Sequence, residues 1–255
     1  MSSWHALDEE IARWCDAGRV AELWWRDDDA VDATAALDRL LGLQHQTGQP
    51  LALAVVPAQA TSALAARLAD EPDVDVLQHG YAHTNHAPPT DKKSELGPYR
   101  PAMVTLGELG TGWLALERLF GPRALPVLVP PWNRIAPALM PTLPEIGFSG
   151  LSTFGRRPRA EAVRGLRQVN THVDLIDWKG HRGFVGTEAA LATLVMALGA
   201  ARSASEEPIG VLSHHLAMDE AGWDFLRSLL GRTRTMSGVE MRAAKRVFAS
   251  REARA

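Results

Sequence analysis

Short apolar runs alternate with longer amphipathic stretches along most of this chain, and that rhythm constrains the fold more than any other feature. Strands joined through helices lie parallel, and a parallel sheet needs both faces covered. Runs at 21–26, 51–56, 74–77, 125–129, 148–152, 168–173 and 209–212 read as strands. Helical spacing is expected over 32–46, 60–69, 101–120, 137–146, 187–201 and 220–230; Leu109, Trp113, Leu116 and Phe120 repeat at helical steps, and Gly121-Pro122 stops that run. About seven strands with helices between them suit a closed barrel better than an open sheet. Leu7, Ile11, Trp14 and Cys15 make residues 1–18 a peripheral helix ended by Gly18, and Ser237-Gly-Val-Glu240 has the pattern of a capping box and predicts one more helix. No linker or repeat divides the sequence, so one barrel domain over 1–255 is expected.

The residues with chemistry gather where these strands should end. Residues 77–86 read Leu-Gln-His-Gly-Tyr-Ala-His-Thr-Asn-His, placing His79, His83 and His86 in a loop closed by Pro88-Pro89. Two imidazoles four residues apart converge on one ion if the backbone turns between them, and Gly80 makes the turn easy. Half-exposed loop histidines without a ligand are the bland alternative. Trp24-Trp25-Arg26-Asp27-Asp28-Asp29-Ala30 puts three like charges together, which implies a cation nearby. One Asp would suffice to cap the helix expected from Asp32. Asp174-Leu-Ile-Asp177-Trp178 and Ser213-His214-His215 complete the set. Functional groups of parallel barrels gather at strand C-termini, and all four features fall there.

Composition narrows the function. A net charge of −3 and a pI near 6.3 argue against nucleic acid and anionic membrane as partners. The single Cys15 permits no internal disulfide. The N-terminus has neither a basic start nor an apolar core, and no apolar run reaches the ~18 residues of a membrane span, so a cytoplasmic protein is expected.

In order, an acidic cluster, His-x-x-x-His, Pro-Pro-aromatic, Asp-x-x-Asp-Trp and a late Leu-x-His resemble the polysaccharide deacetylase family, which contains chitin and peptidoglycan deacetylases; the likeness spans residues 26 to about 215. The resemblance implies an α/β fold, a distorted (β/α)7 TIM-like barrel, and a metal-dependent hydrolase of a linear amide that removes an N-acetyl group from an amino sugar or related compound. It implies one divalent ion, usually zinc, with Co2+, Ni2+ or Mn2+ as other candidates, and a small-molecule or glycan substrate. The family's Thr-Phe-Asp-Asp-Gly falls on Arg26 to Ala30, making Asp28 the resembling general base and Asp29 a resembling metal ligand. His79 and His83 are the other resembling ligands. The Arg-Pro-Pro-Tyr motif falls on Val129 to Trp132, whose aromatic main-chain N–H would face the oxyanion. His214 is the resembling general acid, with Asp174 or Asp177 holding its tautomer.

The departures are specific. Val129 replaces the arginine that orients the catalytic carboxylate, and Arg26 or Arg134 is the candidate substitute. Gly80 stands where a hydroxyl residue braces the site, Ala30 replaces Gly and Trp132 replaces Tyr. Asp27 competes with Asp28 as base if the register slips by one, and His215 competes with His214 as acid. His86, His172 and His181 are expected to do no chemistry, Lys92 and Lys93 to be solvated, and Trp178 with Trp132 to line a pocket. A catalytically inactive metal- or carbohydrate-binding barrel is the second function class, supported by the missing arginine.

Overall fold

The computed structural model describes residues 3–204 and 207–249. Helix α1 (Ser3–Asp16) precedes β1 (Ala21–Ala30), α2 (Ala35–Thr47), β2 (Leu51–Val55), α3 (Ser62–Arg67), β3 (Val74–His79), α4 (Ala102–Phe120), β4 (Ala124–Val129) and β5 (Gly150–Leu151). Then come β6 (Glu161–Val163), β7 (Leu166–Gln168), β8 (Thr171–Asp174), α5 (Thr187–Ala204), β9 (Ile209–Ser213), α6 (Glu220–Thr235), β10 (Val239–Met241) and α7 (Ala244–Val247). The sheet runs β7-β5-β4-β3-β2-β1-β9-β8, all parallel. Residues 166–174 close it: Val169 N–H donates to Leu151 O at 3.0 Å and Thr171 N–H to Thr153 O at 3.0 Å, while β8 pairs β9 on its other side. With β7 and β8 as one interrupted strand, the result is an α/β barrel of seven strands.

Alternation along each strand sorts its side chains. Trp24, Ala52, Ala54, Leu77, Val127, Val129 and Val169 fill the barrel interior. Leu23, Trp25, Leu53, Val76 and Val211 face outward and pack under the helices with Leu37, Leu41, Leu191 and Leu226. Helix α7 plugs the end of the barrel where the strands begin: Ala244 and Val247 are buried in the interior cluster, Phe248 meets Trp24 edge-on at 5.7 Å, and Lys245 N–H donates to Asp75 at 2.9 Å. Helix α1 packs on α5 through Leu7, Ile11 and Trp14. No helix among the described residues is long and apolar enough to cross a membrane.

Several expectations need correction. The first strand does not stop at Arg26 but carries Asp27, Asp28 and Asp29 to Ala30. Helix α2 begins after Thr34, whose hydroxyl accepts Leu37 N–H at 3.1 Å, rather than at Asp32. The region 137–146 is two 3-10 turns instead of one helix, and the basic loop at 156–167 contains the β6–β7 hairpin. The capping-box pattern at 237–240 starts no helix. Val239 and Met241 are buried in β10, which pairs with β1 at Ala21 and Leu23, so the burial of two apolar side chains overrides a local cap pattern. Cys15 is exposed on α1 rather than part of its buried stripe.

Candidate active site

Strand β1 places three adjacent carboxylates in three environments. Trp24, Arg26 and Asp28 share the inward face, so Asp28 stands in the barrel mouth. Asp27 points the other way and takes hydrogen bonds from Ser213 Oγ and His215 Nδ1, each at 2.5 Å. Trp25 Nε1 donates to Ser213 Oγ at 2.8 Å and completes a buried network behind the wall. The β1–β2 register shifts between Asp27 and Ala30, and Asp29 adopts φ 74°. This bulge turns the third carboxylate back across the mouth toward the histidine loop.

There Asp29 Oδ1 lies 3.1 Å from His79 Nε2 and 3.3 Å from His83 Nε2. His79 Nδ1 faces Val129 O at 3.0 Å and donates there, so Nε2 faces Asp29, donating to its carboxylate when protonated and offering a ligand lone pair when not. The ligand atoms of these three residues lie within 4.8 Å of one another. Ligands bound at ~2.0–2.1 Å to a tetrahedral ion stand roughly 3.3 Å apart, so one carboxylate and two imidazoles in this spacing fit a zinc-like ion with positions to spare. Burial pushes the Asp29 carboxyl up, but the His79 hydrogen bond and the charges of His79, His214 and His83 outweigh it and hold it well below the usual range. Burial pulls His79 down, yet the Asp28 charge and the Asp29 hydrogen bond raise it overall; His83 is lowered by burial and by His79.

Asp28 is gripped by Arg26, whose side chain is fully buried. Arg26 donates from Nη2 to Asp28 Oδ2 at 2.9 Å, and its Nε approaches Oδ1 at 2.8 Å as a charge contact without hydrogen-bond alignment. The guanidinium is held in turn by Ser152 Oγ at 2.7 Å and Asn133 Oδ1 at 2.9 Å. Of the two candidates for the missing arginine charge, Arg26 is on Asp28; Arg134 donates to Lys93 O at 2.7 Å instead.

Across the cavity, His214 Nδ1 lies 3.9 Å from Asp174 Oδ1 and has no hydrogen-bond partner among the described residues. Asp174 is oriented by Trp178 Nε1 at 2.9 Å and Ile176 N–H at 3.0 Å; burial pushes its carboxyl up, offset in part by His214. Trp178 meets the His214 ring edge-on at 4.8 Å, and Trp132 packs on His83 at 4.5 Å. Asp28, Asp29, His79, His83, Trp132, Asp174 and His214 thus border one cavity of about 440 Å³, with Phe154 and Trp178 exposed at its rim. Four of the five non-glycine residues with positive φ among the described residues are Asp29, His83, Trp132 and Asn133, so backbone strain clusters at this mouth.

Asp177 is not brought to the cavity. It accepts Gly180 N–H at 2.9 Å and pairs with His181 at 3.4 Å in the following turn. His215 faces Asp27 rather than the cavity, and that carboxylate raises it above its ordinary value despite burial. His86 lies outside the cavity lining, and His172 faces Glu207 at 3.6 Å. Glu95, Ser152 and Asn133 were not legible in the sequence as site residues. Their contacts with the site are set by tertiary register, which local spacing does not carry.

No protein-family model matches the chain, and no curated protein sequence matches it. Solved structures do match. A protein from Mycobacterium smegmatis described as a polysaccharide deacetylase aligns over 91% of this chain and 90% of its own at 16% identity with a TM-score of 0.68. A peptidoglycan N-acetylglucosamine deacetylase in complex with 4-naphthalen-1-yl-N-oxidanyl-benzamide aligns over 89% and 87% at 17% identity and a TM-score of 0.56. A family 4 acetyl xylan esterase from Clostridium thermocellum, in complex with a cobalt ion, aligns over 89% of each chain at 12% identity and a TM-score of 0.53. The barrel described above is the polysaccharide-deacetylase fold.

Proposed function

We propose that this protein is a metal-dependent hydrolase of a linear amide, releasing acetate from the nitrogen of an amino sugar or a related N-acetyl compound. The observation that carries the reading is the convergence of an Asp29–His79–His83 ligand set with Asp28 and His214 on one cavity. The fold neighbours, deacetylases and esterases of polysaccharides by name, support the same chemistry. Asp29, His79 and His83 would hold the ion, of which zinc best suits one carboxylate and two imidazoles. When bound there, a divalent ion supplies Lewis-acid polarisation of the carbonyl and a lowered pKa for water.

The remaining steps belong to the chain's own groups. Asp28, fixed by Arg26, accepts a proton from the attacking water as its oxygen bonds to the carbonyl carbon. The main-chain N–H of Trp132, on a turn with φ 55°, is assigned to the developing oxyanion. As the C–N bond breaks, His214 donates its proton to the leaving nitrogen, and Asp174 steadies the imidazolium. Trp132, Phe154 and Trp178 supply aromatic faces suited to a sugar ring. The non-catalytic reading rested on the arginine absent at 129, and Arg26 on Asp28 removes that support.

Elemental analysis of the purified chain tests the proposal. The wild type is expected to hold about one divalent ion, lost in the His79→Ala, His83→Ala double variant. Asp28→Asn is expected to keep the ion and lose about 10²–10⁴-fold in kcat on N-acetyl substrates. A wild type without metal after zinc reconstitution, or an Asp28→Asn variant of undiminished turnover, would sink the reading.

A further inference from the structure

The loop between the two histidines is held at every polar main-chain group from 80 to 82. Gly80 N–H donates to Val129 O at 3.0 Å, and Gly80 O accepts Gln78 Nε2 at 2.9 Å. Tyr81 O accepts Ala58 N–H at 2.9 Å, and Ala82 O accepts Gln59 Nε2 at 3.0 Å. The two remaining donors go to one side chain: Tyr81 N–H to Glu95 Oε2 at 3.1 Å and Ala82 N–H to Glu95 Oε1 at 2.7 Å, with Thr84 N–H at 3.5 Å.

Glu95 comes from the 87–100 excursion between β3 and α4, and it is 1% exposed. It forms no ion pair among the described residues; main-chain N–H groups satisfy its carboxylate oxygens, and its charge also acts on His83. The excursion is built to deliver it. Ser94 N–H donates to Asn85 Oδ1 at 2.9 Å, His86 N–H donates to Ser94 O at 3.0 Å, and Ala136 N–H donates to Leu96 O at 2.7 Å. Position 80 is shaped to receive it, because a Cβ on Gly80 would stand 2.0 Å from Glu95 Oε2, and φ there is +57°. His83, the residue that must swing back to Asp29, adopts φ 56°, a conformation that persists only where its surroundings enforce it.

We propose that Glu95 is the positioning residue of the two-histidine loop: its carboxylate binds the loop's N–H groups from beneath and so sets the spacing of His79 and His83 for the ion. The proposal rests on the metal-site reading above. It assigns to the excursion a task that neither ligand performs, since Glu95 bonds the main chain of the loop and lies outside the cavity lining.

The test uses the full chain and Co2+ as probe. Glu95→Gln keeps the volume but turns an amide N–H toward a main-chain donor, so one of the two short bonds is lost. Amide exchange at 81, 82 and 84 in metal-free protein is expected to quicken at least about 10-fold, and Co2+ affinity, measured against a chromophoric chelator, to fall about 10–100-fold. Glu95→Asp, which keeps the charge on a shorter arm, is expected between the two, and it decides the matter if Glu95→Gln does not fold. Wild-type Co2+ affinity in a folded variant overturns the proposal, even with faster exchange, and leaves the hydrolase reading intact. A wild type that binds no Co2+ overturns both.

Discussion

Arg26 carries its charge at full burial, where an unpaired guanidinium would be intolerable, and Asp28 is the carboxylate that neutralises it. Removing one partner of such a pair is more damaging than removing both. Arg26→Met is expected to lower unfolding free energy by about 3–5 kcal/mol in urea titrations, and Arg26→Met with Asp28→Asn to lower it by less. A double variant that loses as much as Arg26→Met and Asp28→Asn together would show that the pair is not coupled. Arg26→Lys is not expected to restore the single loss, because a point charge cannot hold Asp28, Ser152 and Asn133 together. At this scale the sequence told much about which residues meet and little about how. Asp28, Asp29, His79, His83 and His214 were legible from motif order. The choice between Asp27 and Asp28 required strand parity, and the exclusion of Asp177 required the turn at 177–183, neither of which spacing reveals.

Strand β1 shows why its element boundaries misled. Three carboxylates in a row look like a loop, because isolated charges are rarely buried. Each is instead matched by its own partner: Asp27 by His215 after β9, Asp28 by Arg26 two residues back in β1, and Asp29 by His79 at the end of β3 and His83 beyond it. Helix α4 was legible nearly to the residue, while α6 runs to Thr235, past its expected end at 230; the short β5 and the β6–β7 hairpin were not legible, since two or three residues carry no period. Helix α1 is tied by the same device on the outer surface. Glu10 is buried and bonded to Arg202 of α5 at 2.8 Å and to Arg13 at 3.0 Å. Burial pushes its carboxyl up, but the two arginines win and lower it below the ordinary 4.5. A carboxyl with a depressed folded-state pKa stabilises above its unfolded value and stops doing so as pH falls through the folded one. Exchange protection of α1 relative to the barrel is therefore expected to drop below about pH 4.5, and Glu10→Gln to show that reduced protection already at pH 7. Equal protection in both proteins at pH 7 would remove Glu10 from that role.

For the molecule as a whole, the closed barrel was legible, because the strand–helix rhythm and the motifs agreed; its closing strand, expected at 168–173, is present but interrupted into β7 and β8, which the pattern did not reveal. Helix α7 matters most at this scale. With the strand-start end stoppered by Ala244 and Val247 against Trp24, the cavity among the described residues has its mouth at the opposite end, beside Phe154 and Trp178. On the proposed amide hydrolysis, the small acyl group would enter first and lie innermost, with the bulk of the substrate behind it. Traffic would then be last in, first out, with the amine vacating the mouth before acetate could follow. Acetate is accordingly expected to compete with substrate, whereas the deacetylated amine gives mixed inhibition, and the reverse pattern in steady-state kinetics would mean that a second exit exists.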